Sequence, residues 1–216
     1  HLKWLNAFID GLALKDLCLI CQDWGGLLGL RILAERSELF SACVASNTML
    51  PTGDQQPGQA FLDWQAYTQS SETFDIGGII QNATYKDLIE EIVAAYNAPF
   101  PDERYKAGAR RFPMLVPISP DDPETNNNRA AWKVLQKFDK PFLTLFSDKD
   151  PITQGGDKVF QKLIPGCRNQ AHRLLKNGGH FLQEDCADEF IKHALKFFRN
   201  ALQNVKQDIT NGVQHG

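Results

Sequence analysis

Residues 21–32 read CQDWGGLLGLRI and follow the short apolar run Leu17–Ile20. The run reads as a strand and the glycine-flanked stretch after it as the start of an amphipathic helix. Asp23 and Trp24 therefore stand on a strand-to-helix turn. Asp is a good helix N-cap, so Asp23 could serve only to start the helix. The pattern around it has the form small-x-nucleophile-x-small: Cys21, Gln22, Asp23, Trp24, Gly25. Small neighbours are needed where a sharp turn crowds the backbone and strains its central residue. The helix that follows would aim its first N–H groups at that spot, favouring negative charge there.

Working outward, four apolar runs read as buried strands covered on both faces: Leu17–Gln22, Cys43–Asn47, Pro141–Ser147 and His172–Lys176. Helical patterns alternate with them at Gly26–Arg36, Gly155–Leu163 and Ala187–Phe198. This alternation predicts an α/β fold with a mostly parallel sheet flanked by helices. Residues 51–139 differ in character. They hold most of the chain's eleven prolines and no convincing strand. Helices are expected there at Gln59–Gln69, Lys86–Tyr96 and Asn128–Phe138. We expect a core built from residues 1–50 and 140–205, a helical cap over 51–139, and a disordered polar tail over 206–216.

Composition excludes several classes of function. The net charge is −3 with scattered basic residues, so no nucleic-acid partner is expected. No apolar run nears the roughly 18 residues of a membrane span, so no membrane partner is expected either. Five cysteines without framework spacing suggest reduced thiols and a cytoplasmic setting. Cys18 and Cys21 spell C-x-x-C, but residues three apart in a strand face opposite sides, which argues against a redox pair. The histidines show no ligand-like spacing, and no metal site is expected.

A carboxylate nucleophile needs a base and a group to orient that base. His180, after two glycines in NGGHFLQED, is free to enter a cleft and is the candidate base. His172 and His193 read as packing and helix-surface residues. The stretch LFSDKDPIT offers Asp148 and Asp150, either of which could be an ordinary turn residue. We choose Asp150, which lies deeper in the loop and ahead of Pro151. Nucleophile, acid, histidine is then the chain order of an α/β-hydrolase triad.

Across roughly residues 1 to 200, CQDWGGLLGLR, NTMLPTG, APFPDERYKAGARRFP, FSDKDPIT and GGHFLQED resemble the haloalkane dehalogenases. The resemblance is to the subfamily with an Asp-His-Asp triad and two halide-binding tryptophans. It implies an α/β-hydrolase fold with a helical cap and a catalytic set of Asp23, Asp150 and His180. Asn47 stands at the end of the second strand, where a sister subfamily carries its acid; an amide there supports Asp150. Trp24 matches the first halide-binding tryptophan. Trp64, early in the cap, is our choice for the second. Trp132 and Trp4 read as packing residues.

The resemblance implies hydrolytic cleavage of a carbon–halogen bond through an alkyl-aspartate ester, with no cofactor. A carboxylate is ionised at neutral pH and can displace halide from saturated carbon without a base. Its partners would be a small halogenated alkane, water and halide ion, and the full-length protein is expected to be a monomer. Two other readings stay open. An epoxide hydrolase uses the same nucleophile with proton-donating lid tyrosines, and the cap offers Tyr67, Tyr85, Tyr96 and Tyr105. A binding protein or inactive fragment would keep the fold without turnover. The opening HLKWLNAFIDGLAL begins inside a helical pattern, and the family carries further strands and an oxyanion-hole loop before this point. We therefore expect an N-terminally incomplete chain, poorly soluble and inactive alone.

Overall fold

The structure is a computed structural model that describes the backbone of residues 1–213 and side chains through 203. In chain order the helices are α1 (Leu2–Gly11), α2 (Trp24–Glu35), α3 (Gln59–Ser70), α4 (Ile76–Asn82), α5 (Glu90–Asn97), α6 (Ala107–Arg111), α7 (Thr125–Leu135), α8 (Gly156–Leu163), α9 (Leu182–Asp185) and α10 (Ala187–Val213). The strands are β1 (Leu17–Gln22), β2 (Phe40–Ser46), β3 (Phe142–Ser147) and β4 (Arg173–Leu175). They lie in the order β1-β2-β3-β4, and every neighbouring pair is parallel.

Each strand matches one apolar run read from the sequence. Helices cover both faces of β2 and β3, which is why those strands are apolar without alternation. One face carries Leu30 and Leu33 of α2, Leu135 of α7 and Phe160 of α8, packed on Phe142 and Phe146. On the other, Ala194, Phe197 and Ala201 of α10 pack on Val44, Leu143 and Leu145. Phe142, Phe146 and Phe160 are almost fully buried. Burial of such a side chain is worth roughly 1.5–3 kcal/mol each.

The expectation of cover on both faces fails for β1 and β4. In β1, Cys18 and Ile20 point away from α2 and are exposed, because α10 packs over β2 and β3 and not over β1. In β4, Arg173 and Leu174 are exposed.

Residues 51–139 supply α3 to α7 and, among the described residues, no strand. The segment is tied to the core at its far end by buried Arg31 of α2. Its guanidinium donates to Glu124 at 2.9 Å, Asn128 at 3.1 Å and Glu35 at 3.3 Å. The Asn128 amide in turn donates to the Pro51 carbonyl at 2.7 Å, closing both ends of the segment on α2.

Three expectations about helices need correction. α5 begins at Glu90 rather than Lys86, and the amides of Tyr85, Lys86 and Leu88 before it donate to the side chains of Asp185 and Gln81. α4 and α6 are too short for their periodicity to stand out. Finally, α10 runs to Val213, through most of the stretch expected as a disordered tail. Residues 204–211 contain neither Pro nor Gly to stop it. Residues 214–216 of that expected tail lie outside the described residues.

Candidate active site

Asp23 sits between β1 and α2 with φ 47° and ψ −124°, a left-handed backbone that non-glycine residues seldom adopt. Two hydrogen bonds from neighbouring segments hold it there. The Asp23 amide donates to the Asn47 carbonyl at 3.0 Å, and the Thr48 hydroxyl donates to the Asp23 carbonyl at 2.7 Å. Gly26 lets Thr48 come this close, since a Cβ there would lie 1.9 Å from Thr48 Oγ1. Asp23 occupies the N-cap position of α2, yet its carboxylate makes no capping hydrogen bond. Instead Asp23 Oδ1 lies 3.2 Å from His180 Nε2.

His180 follows β4 on a loop that passes tightly under the cap. A Cβ on Gly179 would fall 2.4 Å from the Ala83 carbonyl, so glycine is what permits the approach. The His180 amide donates to that same carbonyl at 2.7 Å. Asp150, buried at the end of β3, accepts from His180 Nδ1 at 2.9 Å. The Ile152 amide and the Thr153 hydroxyl also donate to Asp150. Asp148 lies apart from this site, 3.6 Å from Lys176 Nζ. The structure thus brings Asp23, His180 and Asp150 together and leaves Asp148 out.

The electrostatics follow from burial and charge. Burial pushes the Asp150 carboxyl up, but the bonds from His180, Thr153 and Ile152 outweigh it and hold the group below its ordinary range. Burial pulls the His180 imidazole down, whereas Asp150 on one nitrogen and Asp23 on the other raise it to about 10. Both carboxylates thus favour the protonated ring. Its basicity depends on the charge state of Asp23.

A cavity of about 390 Å³ opens over these groups, lined by Asp23, His180, Trp24 and Trp64 and otherwise mostly apolar. Trp24 packs edge-on to Phe112 with ring centroids 4.7 Å apart. Trp64 stacks on Tyr67 and Phe74 at 6.0 and 5.9 Å. Neither indole N–H has a hydrogen-bond partner among the described residues. Trp132 is different: its N–H donates to the Leu50 carbonyl at 2.8 Å and its ring stacks on Phe160. Trp4 lies on the surface, 72% exposed.

Cys18 is exposed and Cys21 buried, on opposite faces of β1 as strand geometry requires. Among the described residues no cluster of metal-ligating side chains is present, and no helix is long and apolar enough to cross a membrane.

A family model described as alpha/beta hydrolase fold matches residues 1–187. The chain belongs to that family. Within it, the chain is similar to the haloalkane dehalogenase of Psychrobacter cryohalolentis, 52% identical over 200 residues covering 93% of this chain and 66% of that protein. It is also similar to the haloalkane dehalogenase of Mycobacterium marinum, 39% identical over 197 residues covering 91% of this chain and 66% of that one. The chain thus spans just under two thirds of the length of these relatives. Among solved structures, the tetrameric haloalkane dehalogenase DpaA from Paraglaciecola agarilytica aligns with a TM-score of 0.79 and 26% identity, over 91% of this chain and 64% of that one.

Around the candidate site, the roles of Gln22 and Asp185 escaped the sequence, and Asn47, noted there only for its amide, makes contacts that were not foreseen. Gln22 Nε2 lies 3.3 Å from His180 Nε2 and 3.2 Å from its carbonyl. Asn47 donates to Ser147 Oγ and to the carbonyls of Gly179 and His180 at 2.8–3.0 Å, joining β2, β3 and the histidine loop. Asp185 accepts from Gly179, Tyr85 and Lys86 amides. Thr153 also left a signal, since a threonine three residues after Asp150 in DPIT is spaced to donate to it.

Proposed function

We propose that the protein hydrolyses haloalkanes to alcohols through an ester on Asp23. Asp23 attacks the halogen-bearing carbon, a C–O bond forms, and the C–X bond breaks with its electron pair leaving on halide. The indole N–H groups of Trp24 and Trp64 receive the anion; an indole N–H donates and carries no lone pair to repel it. Esterification removes the Asp23 charge and with it part of what keeps His180 protonated. His180 then releases its Nε2 proton to solvent, and the neutral ring takes a proton from water at Nε2 while the water oxygen bonds to the ester carbon. Asp150 holds Nδ1–H and offsets the imidazolium charge that forms. The backbone N–H of Trp24, the first amide of α2 and without a helical partner, donates to the oxyanion in this reading. Collapse expels the alkoxide, which leaves as the alcohol with the imidazolium proton, and the carboxyl group left on Asp23 gives its remaining proton to His180, restoring the carboxylate.

One observation carries this reading: the Asp23–His180–Asp150 line opens into an apolar cavity also lined by two tryptophans whose indole N–H groups are unengaged among the described residues. The likeness to haloalkane dehalogenases supports it. The epoxide hydrolase alternative needs a lid tyrosine over Asp23, and none of the four lines that cavity. Tyr67 and Tyr85 line an adjoining cavity instead, Tyr96 is bonded to Glu184, and Tyr105 is exposed. We further propose a cytoplasmic setting, in keeping with its five free cysteines, and a monomer for the full-length protein. The test is product analysis: release of bromide and 1-hexanol from 1-bromohexane is expected, without hydration of an alkyl epoxide. Epoxide hydration without halide release would overturn the assignment.

A further inference from the structure

Gln22 ends β1, directly before the nucleophile, and its side chain reaches the histidine rather than the substrate cavity. Its amide nitrogen lies 3.2 Å from the His180 carbonyl and 3.3 Å from His180 Nε2. Its amide oxygen accepts from Gln183 Nε2 at 3.3 Å. A backbone carbonyl can only accept, so the NH₂ end of Gln22 must face His180. One of its hydrogens then points to the carbonyl and the other to the ring. Nε2 therefore meets two partners of opposite demand. The Asp23 carboxylate, at 3.2 Å, requires a proton on Nε2. The Gln22 amide requires a lone pair there.

We infer that Gln22 is a positioning residue that holds His180 neutral and aimed once Asp23 has become an ester. This rests on the ester reading above. While Asp23 is charged, its attraction prevails and Nε2 keeps its proton. When the ester forms, the carboxylate no longer competes, and the Gln22 N–H remains facing Nε2. A donor hydrogen-bonded to the lone pair favours the neutral imidazole, the only form that accepts a proton from water. As water arrives, its O–H takes over the same lone pair, and Gln22 retains the His180 carbonyl. The other charged group on the ring is Asp150 at Nδ1. Nearby, Asp185 is engaged by backbone amides, and Lys149 and Tyr85 line the adjoining cavity with His180.

The test separates this role from the reaction itself. In an Asp23→Ala background, which strips the nucleophile's charge from Nε2, the His180 ring is titrated by NMR. Replacing the donor with Gln22→Met should raise its midpoint by about half a unit, and Gln22→Glu by about one unit or more. In the protein with Asp23 intact, Gln22→Met should leave alkylation by 1-bromohexane within about twofold and slow ester hydrolysis about tenfold at neutral pH. Equal midpoints in all three Asp23→Ala proteins, or equal slowing of both steps, would overturn the inference. Absence of any ester on the unsubstituted protein would instead overturn the dehalogenase reading, and the titration would still decide the role of Gln22.

Discussion

The Asp185 carboxylate accepts a hydrogen bond from the Gly179 amide at 2.7 Å, one residue before His180. The same carboxylate accepts from the amides of Tyr85 and Lys86, both at 2.9 Å. A single buried group thus fastens the cap segment to the loop that carries the base. Asp185→Ala would strand three backbone donors, and buried donors without partners cost about 1–3 kcal/mol each before relaxation. We expect a loss of about 2–4 kcal/mol in urea unfolding, with Asp185→Asn intermediate because its one oxygen can serve only some of the amides. A midpoint unchanged by Asp185→Ala would contradict the fastening role.

Halide binding should be visible without turnover. Chloride, bromide or iodide is expected to change intrinsic fluorescence by binding between Trp24 and Trp64. Trp24→Phe and Trp64→Phe should each weaken the response and slow alkylation, since each removes one donor to the developing anion. Trp132→Phe should leave halide affinity unchanged, because its N–H is already engaged by Leu50. A response lost in Trp132→Phe and kept in Trp64→Phe would contradict the choice of Trp64.

The charge on His180 links stability to pH. Folding raises its pKa from 6.5 to about 10, so between these values the folded chain binds the extra proton. This stabilisation is complete below pH 6.5 and is lost as the pH climbs to about 10. The slope approaches about 1.4 kcal/mol per unit at most. His180→Phe should flatten the decline in unfolding free energy over this window. An identical decline in both proteins would show that other groups cause it.

In the proposed mechanism, Asp150 is expected to act on the second step more than on the first. Asp150→Asn keeps a side chain of the same size but removes the charge that offsets the imidazolium. It should leave alkylation nearly intact and slow ester hydrolysis at least a hundredfold. Rapid-quench measurement of the two steps checks this, and equal slowing of both would refute it.

Much of this architecture could be read from local pattern. Leu17–Gln22 and Pro141–Ser147 announce themselves as strands because each is a short apolar run closed by turn residues. Asp23 stands out because an acid on a glycine-flanked turn asks for a reason beyond capping. What stayed hidden depends on contacts between distant segments. Asp185 looks like one more acid at a helix start, and its partners Tyr85 and Lys86 lie about a hundred residues earlier. Gln22 looks like a strand residue until the histidine loop folds over it. Exposure of Ile20 could not be foreseen either, because its apolar run is indistinguishable from one that α10 covers.

The ester on Asp23 is the central claim, and a trap for it tests it most directly. His180→Phe removes the base and leaves the nucleophile and both indoles in place. After incubation with 1-bromohexane, intact-protein mass spectrometry should show one added hexyl group, and peptide mapping should place it on Asp23. Asp23→Ala should show none. A hexyl group on a cysteine, or an unmodified His180→Phe protein that still releases bromide, would contradict the mechanism.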